Sequence, residues 1–598
     1  MTRPLLGAMR SHACGDLRAG DAGTRVRLAG WVARRRDHGG VVFFDLRDAA
    51  GIVQVVVHPD QAPDAADVAH GLHAEDCVRV AGTVRRRPPG NENPDLPSGE
   101  VEVAADEVEV LAASATPPFP VEDRTDADEL LRLTYRYLDL RRPGGRRALE
   151  VRARMNAALR RVLERRGFLE VETPYLTRST PEGARDFLVT THLQPGRFYA
   201  LPQSPQLFKQ LLMVAGVERY YQIVRCFRDE ALRADRQPEF TQLDLELSFL
   251  TEDDVFTLGE ELMAEVFRDV LGVELAIPFP RLPWAEALRR YGSDKPDTRY
   301  GMELEDLGGV FAGTGVGVFA RALQAGGSVL ALRVAGGADL GRRRLDELAA
   351  RARARGAGGL AWVVVEGAGL RSPLDKFFSE RERDALRRVS GAVPGDLLLV
   401  AADRTDVARA VLGELRALLA AERGLVPEGC WQFLWVTEFP LFEWDEEAGR
   451  WDAAHHPFTA PAPQWQDSLE KAPGEATARA YDLVLNGYEL GSGSIRIHQP
   501  ELQQRVFELL GIGQHEAEEK FGFLLRGLSY GAPPHGGFAF GLDRVVMLLA
   551  GATSLRDTIA FPKTQSGSDP LTGAPAEVPD EQLAEVRLRS LPGRKHAD

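Results

Sequence analysis

The chain has 598 residues, 44% hydrophobic and 27% charged, with 73 basic against 88 acidic side chains and a net charge of −15. That length exceeds what one hydrophobic core supports and predicts three or four domains of roughly 100–200 residues each, while the acidic balance argues against a general polyanion binder. No apolar run approaches the roughly 18 residues of a membrane span, the polar Met1–Gly20 stretch lacks the sections of a secretory leader, and Cys14, Cys77, Cys226 and Cys430 are too scattered for a disulfide framework or a zinc site. A soluble, cytoplasmic protein with no zinc and no membrane association is expected.

From Arg25 to Val110 the pattern is of short β segments, 26–32, 41–44, 52–57, 77–84 and 101–103, and five strands separated by turns predict a small barrel. Two basic runs, Arg34–Arg36 and Arg85–Arg87, point either to a basic face or to solvated strand edges. Barrels of this size commonly grip single-stranded nucleic acid through aromatics and a positive groove, and Phe43 beside Arg34–Arg36 suits that; a buried Phe43 is the competing reading. Residues 112–128, with Pro117, Pro118 and Pro120, read as a linker. Apolar spacing of three and four predicts an amphipathic helix over 149–163, ended by a left-handed cap at Gly167, with a strand over 168–173 stopped by Pro174. The Gly- and Ala-rich stretch 297–424 lacks chemical clusters and reads as an inserted domain.

Three stretches carry the chemistry. In Glu239–Phe249, strand alternation puts Thr241, Leu243, Leu245, Leu247 and Phe249 on the core side and Phe240, Gln242, Asp244, Glu246 and Ser248 on the other, where Phe240 among acids and amides resembles a ligand platform. His535–Arg544 is a Gly-rich run leading into an apolar helix, and its glycines permit close approach of a ligand to backbone. In Tyr481–Leu490, Asn486-Gly487 is a strong hairpin signal; with these as the loop, Val484 pairs with Glu489, so Asp482 and Glu489 share a face. Two carboxylates there suit Mg²⁺, which fills its other positions with water and substrate phosphates; an acidic hairpin surface is the bland alternative. Strict alternation would put Arg496 on the opposite face unless a bulge at Gly491–Gly493 re-aims it. No Walker sequence or dinucleotide fingerprint is present.

These stretches, with Thr180–Asp186, Gln203–Lys209, Phe227–Gln237 and His455–Thr459, resemble the motifs of the class II aminoacyl-tRNA synthetases, and the likeness to the bacterial-type aspartyl members covers nearly the whole chain. The resemblance implies a multidomain α+β protein: an OB-fold anticodon-binding domain over 1–112, a hinge over 113–145, an antiparallel-sheet catalytic domain over 146–296 and 425–563, an inserted α/β (GAD-like) domain over 297–424 and a tail over 564–598. It implies ATP and L-aspartate as substrates, Mg²⁺ as cofactor and a homodimer. It makes Arg228, Arg544 and Glu489 catalytic. It assigns Glu182, Ser204, Gln206, Lys209, Arg228, Asp244, His455 and Arg496 to aspartate. To ATP it assigns Arg228, Asp229, Glu230, Gln237, Phe240, Glu489, Gly541, Leu542, Asp543 and Arg544, and to the metal Asp482 and Glu489. Lysine is scarce, seven residues against 66 arginines, so Lys209 inside a motif is informative; Lys209 and Arg496 as two cations would reject asparagine, whose amide cannot compensate them. Ser492 departs from the glycine that relatives often carry.

In the first domain the resemblance puts Arg36, Phe43 and Gln54 on the anticodon. His38 and Gly90 resemble the members that aspartylate both tRNA-Asp and tRNA-Asn, which depend on an Asp-tRNA amidotransferase downstream; discriminating relatives often carry leucine at the His38 position. A tRNA-Asp-specific enzyme, an amide-forming paralogue and a non-catalytic RNA-binding protein are the alternatives.

Overall fold

The computed structural model describes residues 7, 9–180, 183–230, 236–367 and 369–589. The chain divides into two compact units, one running to Arg147 and taking in Ala560–Thr564 and Ser568–Ala574, the other holding the remainder.

In the first unit, strands Arg25–His38, Val41–Arg47, Ile52–Val57, Cys77–Arg86 and Val101–Ala112 close into a barrel in the order one, two, three, five, four. Alternation builds its core: Val26, Leu28, Val42, Phe44, Leu46, Val53, Val55, Val78, Val80, Val101 and Val103 all point inward. The last strand is far longer than the 101–103 read from sequence. Asp106, Glu107 and Glu109 conceal it, because each lies on the outer face, where Arg25 and Arg79 pair with them across the ladder. One arginine of each basic run is structural: Arg35 donates to the C-terminal carbonyls of the helix Pro63–His70, and Arg87 is buried with its Nε on the Val101 carbonyl at 3.1 Å. The helical turns 129–139 are fixed by Arg136, which bonds Asp139 and reaches the Ala560 carbonyl at 3.0 Å. That contact draws 560–564 into this unit, and 568–574, read from sequence as tail, packs there too.

The second unit is built on an eight-stranded sheet in the order Arg281–Pro283, Phe433–Thr437, Ala480–Leu485, Tyr488–Ile495, His535–Gly541, Glu239–Ser248, Arg219–Phe227 and Leu169–Glu170. Pairing is antiparallel except at the two outermost strands. One face is apolar, with Leu243, Leu245, Trp435, Tyr481, Leu483, Phe538 and Phe540 buried under the helices Pro143–Arg165, Glu252–Leu271 and Leu542–Ala550. Gly167 follows the first of these helices at φ +73°, as its cap role requires. Two strand expectations shorten. Residues 168–173 give only Leu169–Glu170, and Phe249 leaves the core side, 69% exposed at φ +58°, because the strand ends at Ser248.

Between 304 and 403 a separate five-stranded sheet forms in the order Leu304–Asp306, Ser328–Val334, Leu397–Asp403, Ala361–Val365 and Leu370–Arg371. Its two faces bury alternate residues under different helices: Leu330, Leu332 and Leu399 under Arg342–Ala354 and Thr405–Glu422, and Val329, Ala331 and Leu398 under Gly317–Gln324 and Glu380–Ser390. Arg416, 3% exposed, seats the entry to this body. Its guanidinium donates to the carbonyls of Asp297, Tyr300, Gly301 and Met302 at 2.8–3.1 Å and lies against the rings of Tyr291 and Tyr300. Arg416→Met removes the donors of four carbonyls at once and is expected to destabilise this unit by about 2–3 kcal/mol, read as a lower midpoint in urea; an unchanged midpoint would refute the seating role.

Candidate active site

The sheet face opposite the core floors a cavity of about 560 Å³. Register explains which side chains meet there. Asp482 pairs with Ser492, Ser492 with Ala539 and Ala539 with Asp244, so the two acids stand in one row, three strand spacings or about 14 Å apart. Asn486 (φ +52°) and Gly487 (φ +87°) make the hairpin turn, and Val484 pairs with Glu489 as the sequence predicts. The bulge falls earlier than expected: Leu483 pairs with Gly491, leaving Leu490 as the extra residue. Without it Glu489 would lie opposite Ser492, Ser494 and Arg496; with it all four share a face with Asp482.

Beneath the cavity lies a buried charge cluster. Lys209, on the helix Gln206–Val214, places Nζ 2.7 Å from Asp244 Oδ1, 3.1 Å from Glu246 Oε2 and 3.2 Å from the Leu245 carbonyl. Arg496 meets the same Glu246 through Nε at 3.0 Å and Nη2 at 3.3 Å, and its Nη1 bonds Ser494 Oγ at 2.7 Å and His456 Nε2. The four charged side chains are at most 3% exposed. Burial pushes the Asp244 carboxyl up to about 6, against the pull of Lys209; burial acts the same way on Glu246, but Arg496 and Lys209 together outweigh it and hold that carboxyl low. Lys209 and Arg496 are therefore not bare cations. The sequence argument for rejecting asparagine changes accordingly: both side chains are donors only, so an amide nitrogen would set donor against donor where a carboxylate oxygen accepts. Glu246, His456 and Ser494 are absent from the sequence-predicted site. Glu246 had a visible signal as the second acid on the polar face, and His456 had one through its place in the His455–Thr459 motif.

At the other end, Arg228 stacks on Phe240, guanidinium carbon 5.0 Å from the ring centroid, and Arg544 donates to the Glu489 carbonyl. Arg544 stands in the first turn of Leu542–Ala550, where the helix dipole favours an anion. Glu230, Gln237, Glu489 and Gly541 line the same space, as do Ser204, Gln206 and His455 together with Lys209 and Arg496. Asp482 is 8% exposed, its Oδ1 has no hydrogen-bond partner, and burial with the nearby Glu489 charge raises its carboxyl well above the usual range. A buried carboxylate oxygen without a donor beside a second carboxylate fits a divalent cation that takes two protein oxygens.

Several expected contacts are arranged differently. Leu542 buries its side chain in the core, leaving only backbone to face a ligand. Asp543 spends one oxygen on Arg152 and the other on the Thr241 backbone N–H at 2.8 Å, which ties the helix start to the neighbouring strand. Asp229 pairs with Arg185 at 2.6 Å and does not line the cavity. Glu182 lies outside the described residues, as does 231–235 of the loop that closes at Arg228 and Pro238.

In the first unit, Arg36 pairs with Phe43 and Asp45 with Gln54, so these side chains share the outer face of the barrel. Phe43 is half-buried, Arg36 Nη2 is 3.3 Å from Gln54 Oε1, and Gln54 Nε2 donates to Glu102 at 2.9 Å. His38 ends its strand before Gly39 and Gly40, both at positive φ, and Gly90 at φ +87° donates its N–H to Glu92 within its own loop.

Two predictions follow from the packing. A Cβ on Gly537 would lie 2.2 Å from the Leu245 carbonyl and 2.0 Å from the Glu246 carboxylate, so Gly537→Ala should displace Glu246 and lower Tm; an alanine variant with unchanged Tm and ligand affinity would refute that packing. The second concerns pH. His455, at about 4, and His456 and His535 are all held below their ordinary range, chiefly by burial, with Arg496 adding to it. Unfolding lets each take a proton, so stability present above pH 6.5 is lost as pH falls below it, by up to about 1.4 kcal/mol per histidine per pH unit. Asp244 opposes this between about 6 and 4, and Asp482, whose carboxyl is also raised, acts in the same direction, but two carboxyls do not offset three imidazoles. Stability should fall from pH 6.5 to 5.5, and His456→Gln should make the slope shallower; a flat profile in thermal melts would contradict the assignment.

Residues 128–565 match the family described as tRNA synthetases class II (D, K and N), and residues 26–111 match an OB-fold nucleic acid binding domain. The chain is 57% identical over 588 residues to the Aspartate--tRNA(Asp/Asn) ligase of Acidothermus cellulolyticus, covering 98% of both chains, and 56% identical over 586 residues to that of Moorella thermoacetica, again 98% of both. Its fold is similar to that of asparaginyl-tRNA synthetase from Pyrococcus horikoshii complexed with asparaginyl-adenylate, with a TM-score of 0.59 at 21% identity over 92% of this chain and 98% of that one. A barrel of the nucleic-acid-binding type, an antiparallel sheet with a cavity on its polar face and this near full-length likeness together establish that the chain belongs to the class II tRNA synthetases of the D, K and N group.

Proposed function

We propose that this protein is an aspartate--tRNA ligase that activates L-aspartate with ATP and esterifies it to both tRNA-Asp and tRNA-Asn. The observation that carries the reading is the two-ended cavity: a donor-rich floor of Lys209 and Arg496 at one end, and Arg228, Arg544 and a helix start at the other. The relatives' printed names support the substrate and the double tRNA specificity.

Chemistry follows from the donors. An amino-acid carboxylate is already ionised near pH 7, so its attack on the α-phosphorus needs no protein base. The carboxylate oxygen forms the new bond to phosphorus, the bond to the bridging oxygen breaks, and pyrophosphate leaves. Arg228 neutralises the α-phosphate and Arg544 the γ-phosphate, with their planar guanidiniums matching phosphate oxygens. Phe240 offers its ring to adenine once Arg228 turns from it to the phosphate. Asp482 and Glu489 would hold Mg²⁺, which when bound supplies charge neutralisation on the phosphates. The 3′-terminal hydroxyl of tRNA then attacks the activated carbonyl and AMP departs. Arg36, Phe43 and Gln54 would read the anticodon, and His38 and Gly90 set the tolerance for two tRNAs, whose Asp-tRNA-Asn product requires an amidotransferase. Exposed Leu169 on the outermost strand, with exposed Leu176, Leu188, Leu193 and Phe198, would supply apolar surface for a homodimer to cover. Among the described residues no helix is long and apolar enough to cross a membrane, in keeping with a cytoplasmic site of action.

Exchange of labelled pyrophosphate into ATP should require aspartate and fail with asparagine; well-folded protein without exchange would sink the reading. Arg228→Ala and Arg544→Ala should each cut that exchange by about 10³-fold or more. Aspartylation of tRNA-Asp and tRNA-Asn transcripts in parallel should give comparable rates, and a preference of several hundred-fold would restrict the function to one tRNA.

A further inference from the structure

Behind Gln206, one of the cavity-lining amides, runs a chain of polar groups that none of the assigned roles uses. Gln206 Nε2 donates to Gln210 Oε1 at 3.0 Å, Gln210 Nε2 lies 3.1 Å from His535 Nε2, and His535 Nδ1 lies 2.8 Å from the Pro533 carbonyl. Gln210 and His535 are fully buried and Gln206 is 7% exposed, so no water intervenes to correct a mismatch, and an unmet buried donor or acceptor costs about 1–3 kcal/mol.

Each link therefore determines the next. A carbonyl can only accept, so His535 carries its proton on Nδ1. Its burial favours the neutral ring, which leaves Nε2 as an acceptor. Gln210 must then turn its NH₂ to His535 and its oxygen to Gln206. Gln206 must in turn present its NH₂ to Gln210, and its own Oε1, for which the described residues offer no hydrogen-bond donor, is left to the cavity. Reversing any one amide sets oxygen against oxygen or donor against donor along the whole row.

We propose that His535 and Gln210 are positioning residues that lock the Gln206 side chain with its carbonyl oxygen toward the cavity, so that this wall accepts a hydrogen bond from a cation, namely the α-ammonium of the amino-acid substrate. The inference rests on the aspartate-activating reading above and adds a polarity to it. The floor of Lys209 and Arg496 selects a carboxylate, and the Gln206 wall demands an ammonium at a fixed distance from it. A dicarboxylate without the amino group satisfies the first and not the second.

The test compares three proteins in aspartate-dependent pyrophosphate exchange, with succinate, which is aspartate lacking its amino group, as competitive inhibitor. Exchange by the unmodified chain tests the activating reading by itself; only the comparison among variants tests the relay. Gln210→Met keeps the length of the side chain and abolishes the relay. It should raise KM for aspartate about tenfold while KM for ATP and the inhibition constant of succinate move less than about twofold. Gln210→Glu still accepts from Gln206, with His535 taking a second proton on Nε2 to donate to the new carboxylate, and should restore KM for aspartate to within about threefold of the unmodified chain. The proposal is overturned if Gln210→Met leaves KM for aspartate unchanged, if aspartate and succinate weaken in parallel, or if Gln210→Glu is as impaired as Gln210→Met. Should Gln210→Met fail to fold, His535→Asn, which can still accept from Gln210, takes its place: retained discrimination between aspartate and succinate supports the relay, and loss of it with intact folding counts against it.

Discussion

The catalytic half of this molecule is organised around one carboxylate. Glu246 stands on a sheet strand with no exposure to solvent and holds both Lys209 and Arg496, which come from a helix before it and a strand 250 residues after it. An isolated buried charge is prohibitively costly, and a buried pair is neutral at best unless every donor and acceptor is met. Here Asp244, Ser494, His456 and the Leu245 carbonyl meet most of it, all within hydrogen-bond reach, while Asp244 Oδ2 is left without a hydrogen-bond partner. The consequence is geometric rather than energetic. Loss of any member strands another, so the cluster fixes the relative positions of two strands, a loop and a helix that the apolar core alone would leave free to slide.

The polar networks share a logic of donors that have only one place to go. Arg496 can only donate, so the His456 nitrogen facing it must be bare, and burial beside that guanidinium keeps the ring neutral. Asp543, with one oxygen on Arg152 and one on the Thr241 backbone, pins the helix that carries Arg544 to the strand that carries Asp244. The two ends of the cavity are thus held by separate devices on a shared strand, and the distance between those devices follows from the rise along that strand.

Much of this was legible in the sequence wherever periodicity and chemistry coincide. The polar face of 239–248, the Asn-Gly turn and the shared face of Asp482 and Glu489 follow from a period of two and a turn type. The strand over 101–112 was obscured by its acids, whose partners lie on other strands, and the exit of Phe249 depends on a left-handed residue that propensity does not announce. Glu246 was placed on the right face but not in the site, because what makes it central is a lysine and an arginine remote in sequence. The polarity of Gln206 was beyond reach, since it is fixed by a proline carbonyl more than three hundred residues away.

The single extra residue at Leu490 gives the hairpin an arithmetic of its own. Side chains between the turn and Arg496 are assigned to ligand or to core by odd and even position, and Leu490 is where the two counts are exchanged. Chain length in this segment is accordingly quantised. A lengthening by one residue would turn an arginine into the apolar layer and a leucine into the cavity, whereas a lengthening by two would restore the faces and merely move the turn outward. Indels in this hairpin are therefore admissible only in pairs, a rule about counting that no inspection of individual side-chain identities would disclose.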